Sequence, residues 1–276
     1  MFFRILPLLV FFLISCNIQD KFIFTNRIQE FKGHQPHYDF TDAKADPVLL
    51  RLLSQATVQI FRESIYTAVP IEINKDILII PDLITFKNTS SGTGFAFCIQ
   101  NSKTYILTAY HVVVGESYPE IASIPAPALS LIEDILYIKI TDSLLVSATF
   151  AFGDKETDIA VLSIEEPMPI YEFFCFENLL ESGNKILGLG YPLGEYKHFL
   201  EGRLANPKDD NSWIRVDMHV NPGCSGGPVF VLREGKPSII GLFSVYYNGV
   251  QGIGGVSRFY KFKDLLINHH ILFKYL

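Results

Sequence analysis

From Ala56 onward the chain is a succession of short runs rich in Val, Ile, Phe, Tyr and Thr, each closed by a turn signal. A first series covers residues 57–61, 94–99, 104–108, 136–141, 145–150 and 159–163. A second covers residues 185–189, 213–219, 228–232, 238–245 and 252–258. β-Branched and aromatic side chains suit the pleated, half-buried surface of a sheet. No helical pattern alternates with these runs, which argues against a parallel α/β sheet with its crossover helices. An all-β body is expected, divided near residues 166–171, where Pro167 and Pro169 interrupt the pattern. A short helical lead-in is expected over residues 47–54. A terminal helix is expected over residues 262–274, with Phe262, Leu265, Leu266, Leu272 and Phe273 on one face. His269 sits within that stripe, and Ile267 and Ile271 lie off it.

The 276 residues are 49% hydrophobic, which raises the question of a membrane span. The one membrane-like run covers residues 5–14, after Arg4. As a helix it would be about 15 Å long, half of a hydrocarbon core of about 30 Å. That length suits the apolar part of a signal peptide. The run leads into Leu13-Ile14-Ser15-Cys16, which resembles the bacterial lipobox. The resemblance implies cleavage before Cys16 and acylation of its sulfur and new α-amine. Several acyl chains anchor a protein stably where one would be marginal. Residues 1–15 are thus expected to be a lipoprotein signal and residues 16–46 a tether. The expected location is the cell envelope, on the periplasmic face or the outer membrane, because Asn17 replaces the aspartate of inner-membrane retention. His34 and His37 lie in the tether with Pro36 between them, and no third ligand is near, so a solvated linker is expected there. A net charge of −6 leaves no basic surplus for phosphate, so nucleic acid is not an expected partner. Four cysteines are too few for a disulfide scaffold. Pairing among Cys98, Cys175 and Cys224 is left open.

Three segments carry chemistry when read together. Ile106-Leu107-Thr108-Ala109-Tyr110-His111 is a β-run ending in a histidine. Asp158-Ile159-Ala160-Val161-Leu162 places an acid at the head of a strand. Asn221-Pro222-Gly223-Cys224-Ser225-Gly226-Gly227-Pro228 holds a serine in a glycine-rich turn. A serine hydroxyl is a poor nucleophile at neutral pH and needs an adjacent base. Histidine can take that proton and return it, and an acid can fix its tautomer.

In the order His, Asp, Ser, these motifs resemble the chymotrypsin-like (trypsin-type) serine protease family. Ser91-Gly92-Thr93-Gly94-Phe95 and Gly188-Leu189-Gly190-Tyr191-Pro192 support the likeness, which covers roughly residues 50 to 262. It is nearest the bacterial branch that includes high-temperature-requirement proteases and glutamyl endopeptidases. The resemblance implies two six-stranded antiparallel β-barrels followed by a C-terminal helix, with the site between them. Residues 47–166 would form the first barrel, carrying His111 and Asp158. Residues 167–276 would form the second, carrying Ser225, and the terminal helix. The N–H groups of Gly223 and Ser225 would form an oxyanion hole, and Ser244 would hydrogen-bond the acid. The substrate would be a protein or peptide, with no cofactor and no metal.

Some positions depart from the family. Cys224 stands where animal digestive members have an aspartate, so their zymogen switch is not expected. Cys224 is expected to be a small buried side chain rather than the nucleophile. His219, Phe243 and Tyr246 fall where relatives build the specificity pocket. His219 would either favour an acidic side chain when protonated or simply pack. Tyr246 replaces a common glycine and would narrow the pocket. A competing reading therefore stays open, a lipoprotein that keeps the fold without turnover and serves as a binding scaffold.

Overall fold

Asp46, the first described residue, caps a helix. Its Oδ1 accepts a hydrogen bond from the Val48 N–H at 2.9 Å, and Pro47 occupies the first turn. In this computed structural model the residues described are 46–68, 71–73, 76–78, 85–115, 129–171, 180–207, 213–233, 236–246 and 252–271. The expected signal, Cys16, nearly all of the tether, Cys175 and the Tyr246 side chain lie outside the described residues.

Helix α1 (Pro47–Ala56) leads into β1 (Thr57–Ala68), followed by a hairpin of β2 (Ile71–Ile73) and β3 (Asp76–Leu78). Next come β4 (Thr85–Gln100), β5 (Lys103–Thr108), the short helix α2 (Tyr110–Val114), β6 (Leu129–Thr141), β7 (Leu144–Asp154) and β8 (Ile159–Ile164). After them run β9 (Lys185–Gly190), β10 (His198–Asn206), β11 (Trp213–Asp217), β12 (Pro228–Arg233), β13 (Lys236–Tyr246), β14 (Ile253–Arg258) and α3 (Phe259–Asn268). Two closed six-stranded antiparallel barrels result. Their orders are β1-β4-β5-β8-β7-β6 and β10-β11-β14-β13-β12-β9. Closure leaves neither barrel an unpaired edge. The long β1 makes this possible by pairing with β4 from Thr57↔Phe95 to Thr67↔Thr85, and with β6 on its other side.

Inward-facing side chains fill each barrel, with Ile60, Ile106, Ile138 and Leu162 in the first and Ile214, Val229, Phe243 and Val256 in the second. A third apolar cluster crosses between them, joining Phe95, Leu107 and Phe152 to Leu189, Phe230 and Leu242. The Phe95 and Phe230 rings meet edge-on with centroids 5.6 Å apart, and Tyr171 packs on both at 6.4 and 6.3 Å. Burial pushes the Tyr171 phenol up to about 12, so it stays neutral in that seam. Helix α3 closes the cluster with Phe259, Phe262 and Leu266, all fully or almost fully buried.

The terminal helix is shifted from its expected bounds of 262–274. It begins at Phe259 and stops at Asn268, because His270 takes a left-handed φ of 55°. The His270 N–H then donates to the Ile267 carbonyl at 2.9 Å and the Ile271 N–H to the Leu266 carbonyl at 3.1 Å. This is a Schellman cap, whose apolar residue folds back onto the helix. It buries Ile271, which helical spacing placed off the stripe. His269 is exposed at the helix end, where its ring stacks on Phe152 at 3.9 Å. Strand β10 was not expected at all. Its side chains are mostly exposed or half-buried and Glu, Arg and Asn interrupt its apolar residues, so it lacks the alternation that marks a strand.

Phe230 belongs to the contact between the barrels, so its loss should be felt by both. Phe230→Ala should lower unfolding free energy by about 3–5 kcal/mol in urea titration. One cooperative transition is expected, rather than separate melting of the second barrel.

Candidate active site

The acid segment is shaped by the turn between β7 and β8. The Asp154 carboxylate accepts from the N–H groups of Glu156 and Thr157 and from the Thr157 hydroxyl, at 3.2, 3.0 and 2.7 Å. The turn carries Asp158 into the left-handed region at φ 52°, which aspartate tolerates better than most residues. Its carboxylate, buried at 8% exposure, faces the segment after β5. Strand β5 stops at Thr108, so His111 is not at a strand end but on the short helix α2.

His111 and Asp158 share two contacts. The His111 N–H donates to Asp158 Oδ1 at 2.9 Å, and His111 Nδ1 lies 2.8 Å from Asp158 Oδ2. An ionised carboxylate only accepts, so Nδ1 carries the proton and Nε2 is left as the basic nitrogen. Ser244, on β13 of the second barrel, also donates its hydroxyl to Asp158 Oδ2. The acid is thereby held from both barrels.

Ser225 sits in the turn before β12, half-buried. Two glycines make that turn possible. Gly223 has φ 93°, and a β-carbon there would lie 2.3 Å from the Tyr191 carbonyl oxygen. Gly226 has φ 83°, and a β-carbon there would lie 2.3 Å from Thr108 Oγ1 and 2.7 Å from the Ala109 nitrogen. The serine turn is therefore pressed against the segment that leads into His111. Its carbonyl is fixed there, because the Thr93 N–H donates to the Ser225 oxygen at 2.8 Å. The N–H groups of Gly223 and Ser225 donate to no protein acceptor among the described residues. Two free donors on one turn can stabilise an oxygen that gains negative charge.

Cys224 is fully buried behind the turn, with its sulfur against Gly190. Burial pushes its thiol up from the ordinary value, so little thiolate exists at neutral pH. Cys98 is buried as well, and these two cysteines form no disulfide with each other. The residues expected at a specificity pocket separate. His219 lies beyond the end of β11 and is exposed. Phe243 has no exposed surface and lies over Gly188 in the core of the second barrel, so it packs the barrel instead of lining a pocket. For Tyr246 only the backbone, at the end of β13, is described. No cluster of three His, Cys, Asp or Glu that could hold a metal occurs among the described residues.

A loop beside the serine turn holds groups that the sequence did not single out. The Leu193 N–H donates to the Pro222 carbonyl at 2.7 Å, and the Gln59 side chain donates to the Gly194 carbonyl at 2.8 Å. Lys197 donates from Nζ to the Ser54 carbonyl at the end of α1, and lies over the Tyr191 ring at 5.6 Å. Burial lowers Lys197 from 10.5 to about 8. Tyr191 is pushed up to about 12, mainly by burial and then by the Asp142 charge.

Residues 92–242, more than half of the chain, match the family described as the trypsin-like peptidase domain. The chain belongs to the trypsin-like peptidase family. Over 175 residues it is 30% identical to a probable periplasmic serine endoprotease DegP-like of Hahella chejuensis (strain KCTC 2396), covering 61% of this chain and 32% of that protein. Over 180 residues it is 28% identical to the serine protease Do-like HtrA of Bacillus subtilis (strain 168), covering 60% of this chain and 36% of that protein. This trypsin-like chain thus spans only a minor part of the length of those relatives. Among solved structures it resembles an HtrA-type protease with tripeptide, at a TM-score of 0.54 and 18% identity, covering 84% of this chain and 65% of that one. The serine endoprotease from Yersinia pestis matches at a TM-score of 0.52 and 19% identity, covering 80% of this chain and 64% of that one. At such identities the two structures establish the fold.

The lowered Lys197 value gives a pH test of the loop. Between about 8 and 10.5 the unfolded chain keeps the Lys197 proton and the folded chain does not. Stability therefore rises with pH across that window. The wild type should gain thermal stability relative to Lys197→Met as pH increases through it. A Tm difference that stays flat or falls would show that the folded amine keeps its charge.

Proposed function

We propose that the chain is a serine endopeptidase acting through His111, Asp158 and Ser225, and that it is held at the bacterial cell envelope by lipid on Cys16. The observation that carries the enzymatic reading is the doubly held Asp158 carboxylate. Paired with His111 Nδ1, it leaves Nε2 basic on the side of the ring away from the acid. His111 Nε2 takes the Ser225 proton as Oγ attacks the scissile carbonyl. Asp158 stabilises the imidazolium that forms and keeps its own charge. The N–H groups of Gly223 and Ser225 receive the oxyanion, where one such donor is worth about 2.7–4 kcal/mol in the transition state. The imidazolium gives its proton to the leaving amine, and the acyl group stays on Ser225 until water, activated by the same base, releases it. No cofactor enters any step.

The envelope reading rests on Leu13-Ile14-Ser15-Cys16 and on the relatives whose names describe them as periplasmic. No helix among the described residues is long and apolar enough to cross a membrane. The substrate class is a protein or peptide. None of the expected pocket residues His219, Phe243 and Tyr246 is acidic, so cleavage after Lys or Arg is not supported.

A fluorophosphonate probe should label the wild type on Ser225, and Ser225→Ala should remove the label while circular dichroism stays unchanged. A folded wild type that never labels would overturn the enzymatic reading in favour of a binding scaffold. Separately, cells given labelled palmitate should incorporate it into the wild type and not into Cys16→Ala. Equal incorporation in both would overturn the lipid anchor.

A further inference from the structure

We infer that Thr93, a side chain of the first barrel, is the positioning residue that sets the oxyanion turn of the second. The inference rests on the serine endopeptidase reading above and extends it to a residue outside the triad. Thr93 lies on β4 and has no exposed surface. Its hydroxyl donates to the Gly223 carbonyl at 2.7 Å and accepts from the Tyr191 N–H at 3.0 Å. Its N–H donates to the Ser225 carbonyl at 2.8 Å. Its carbonyl accepts from the Thr108 hydroxyl at 2.8 Å, at the end of the strand that leads to His111. One residue thus holds both carbonyls that flank Cys224 and is itself tied to the base-bearing segment.

The consequence is geometric. Peptide groups are planar, so fixing the carbonyl of one residue fixes the N–H of the next. The Gly223 carbonyl aims the Cys224 N–H at Asn221, where it donates to the carbonyl at 3.1 Å. Thr93 pins that peptide and the Ser225 carbonyl, the Cys224 carbonyl between them accepts from the Gly227 N–H at 2.9 Å, and the peptide between Cys224 and Ser225 is left with little freedom to rotate. The Ser225 N–H is therefore held in one direction. Without the hydroxyl, the Gly223 carbonyl and the Tyr191 N–H would lose their partner in a site closed to water, and reorienting the turn would be one way to recover hydrogen bonds. Thr93 touches no reacting atom. It acts by keeping the Ser225 donor in place before the substrate arrives, beside the Gly223 donor, whose peptide is held through the Pro222 carbonyl by the Leu193 N–H.

Thr93→Val keeps the β-branched shape and removes only the hydrogen-bonding group. Two probes read the result, a fluorophosphonate and the acylation burst of p-nitrophenyl acetate. Thr93→Val should slow both acylation and phosphonylation by about 10- to 100-fold, the scale of a misaligned donor. KM for the ester and the pH at which the rate is half-maximal should stay near wild type. Thr93→Ser should recover most of the rate. If Thr93→Val does not fold, Thr93→Ala, which cannot clash, is read in its place. A folded hydroxyl-less variant that reacts as fast as the wild type would overturn the inference, as would a loss that Thr93→Ser does not recover. A folded wild type that reacts with neither probe would overturn the endopeptidase reading itself, and this inference with it.

Discussion

The structure turns on one carboxylate. Asp158 accepts from the backbone and ring of His111 within its own barrel and from Ser244 across the gap. A buried carboxylate is tolerable only when its lone pairs are used, and here three donors use them. Each donor also fixes something else. The ring bond selects the histidine tautomer, the backbone bond orients α2, and the Ser244 bond sets β13 against the first barrel. Asp158 reaches this place only because the Asp154 turn throws it into a left-handed backbone. A local turn thereby determines how the two halves of the molecule meet.

Around that carboxylate the seam is joined by two kinds of contact. An apolar layer holds Phe95, Tyr171 and Phe230, and α3 packs into the same cluster through Phe259, Phe262 and Leu266. A polar layer supplies direction, through Thr93 to Gly223, Gln59 to Gly194 and Ser244 to Asp158. Hydrophobic contact is non-directional and would tolerate sliding. Hydrogen bonds are directional, and those from Thr93 and Gln59 fall at the serine turn and the loop behind it. No buried side-chain nitrogen or oxygen lacks a partner among the described residues.

The fold was legible because closed barrels repeat one simple signal, short runs of Val, Ile and Phe with turns between them. Strand β10 carries no such signal, because its residues are mostly exposed and Glu201 and Arg203 lie inside it. His111, Asp158 and Ser225 stand out in the sequence as candidates because each lies beside an apolar strand or a run of glycines. Thr93 was visible only as part of Ser91-Gly92-Thr93-Gly94-Phe95. Its task depends on Gly223, 130 residues away, and no local pattern encodes a contact of that span. Phe243 shows the reverse error. Its position in the sequence suggested a pocket wall, but alternation along β13 turns its ring inward. The apolar stripe continues past the end of α3, where His270 takes the left-handed cap position that a glycine would normally announce.

The span of the seam bonds also bears on when the site comes into being. Ser244 lies 86 residues beyond Asp158, and Gly223 lies 130 beyond Thr93. Contacts this distant form late, after the entropy of closing long loops has been met. Synthesis runs from the amino terminus, so the first barrel can fold while the second is still incomplete. At that stage the chain has placed His111 and Asp158 but neither Ser225 nor the turn that carries it. On the proposed mechanism, dividing His111 and Asp158 from Ser225 between two barrels makes reactivity a property of the finished molecule and of no partly made chain.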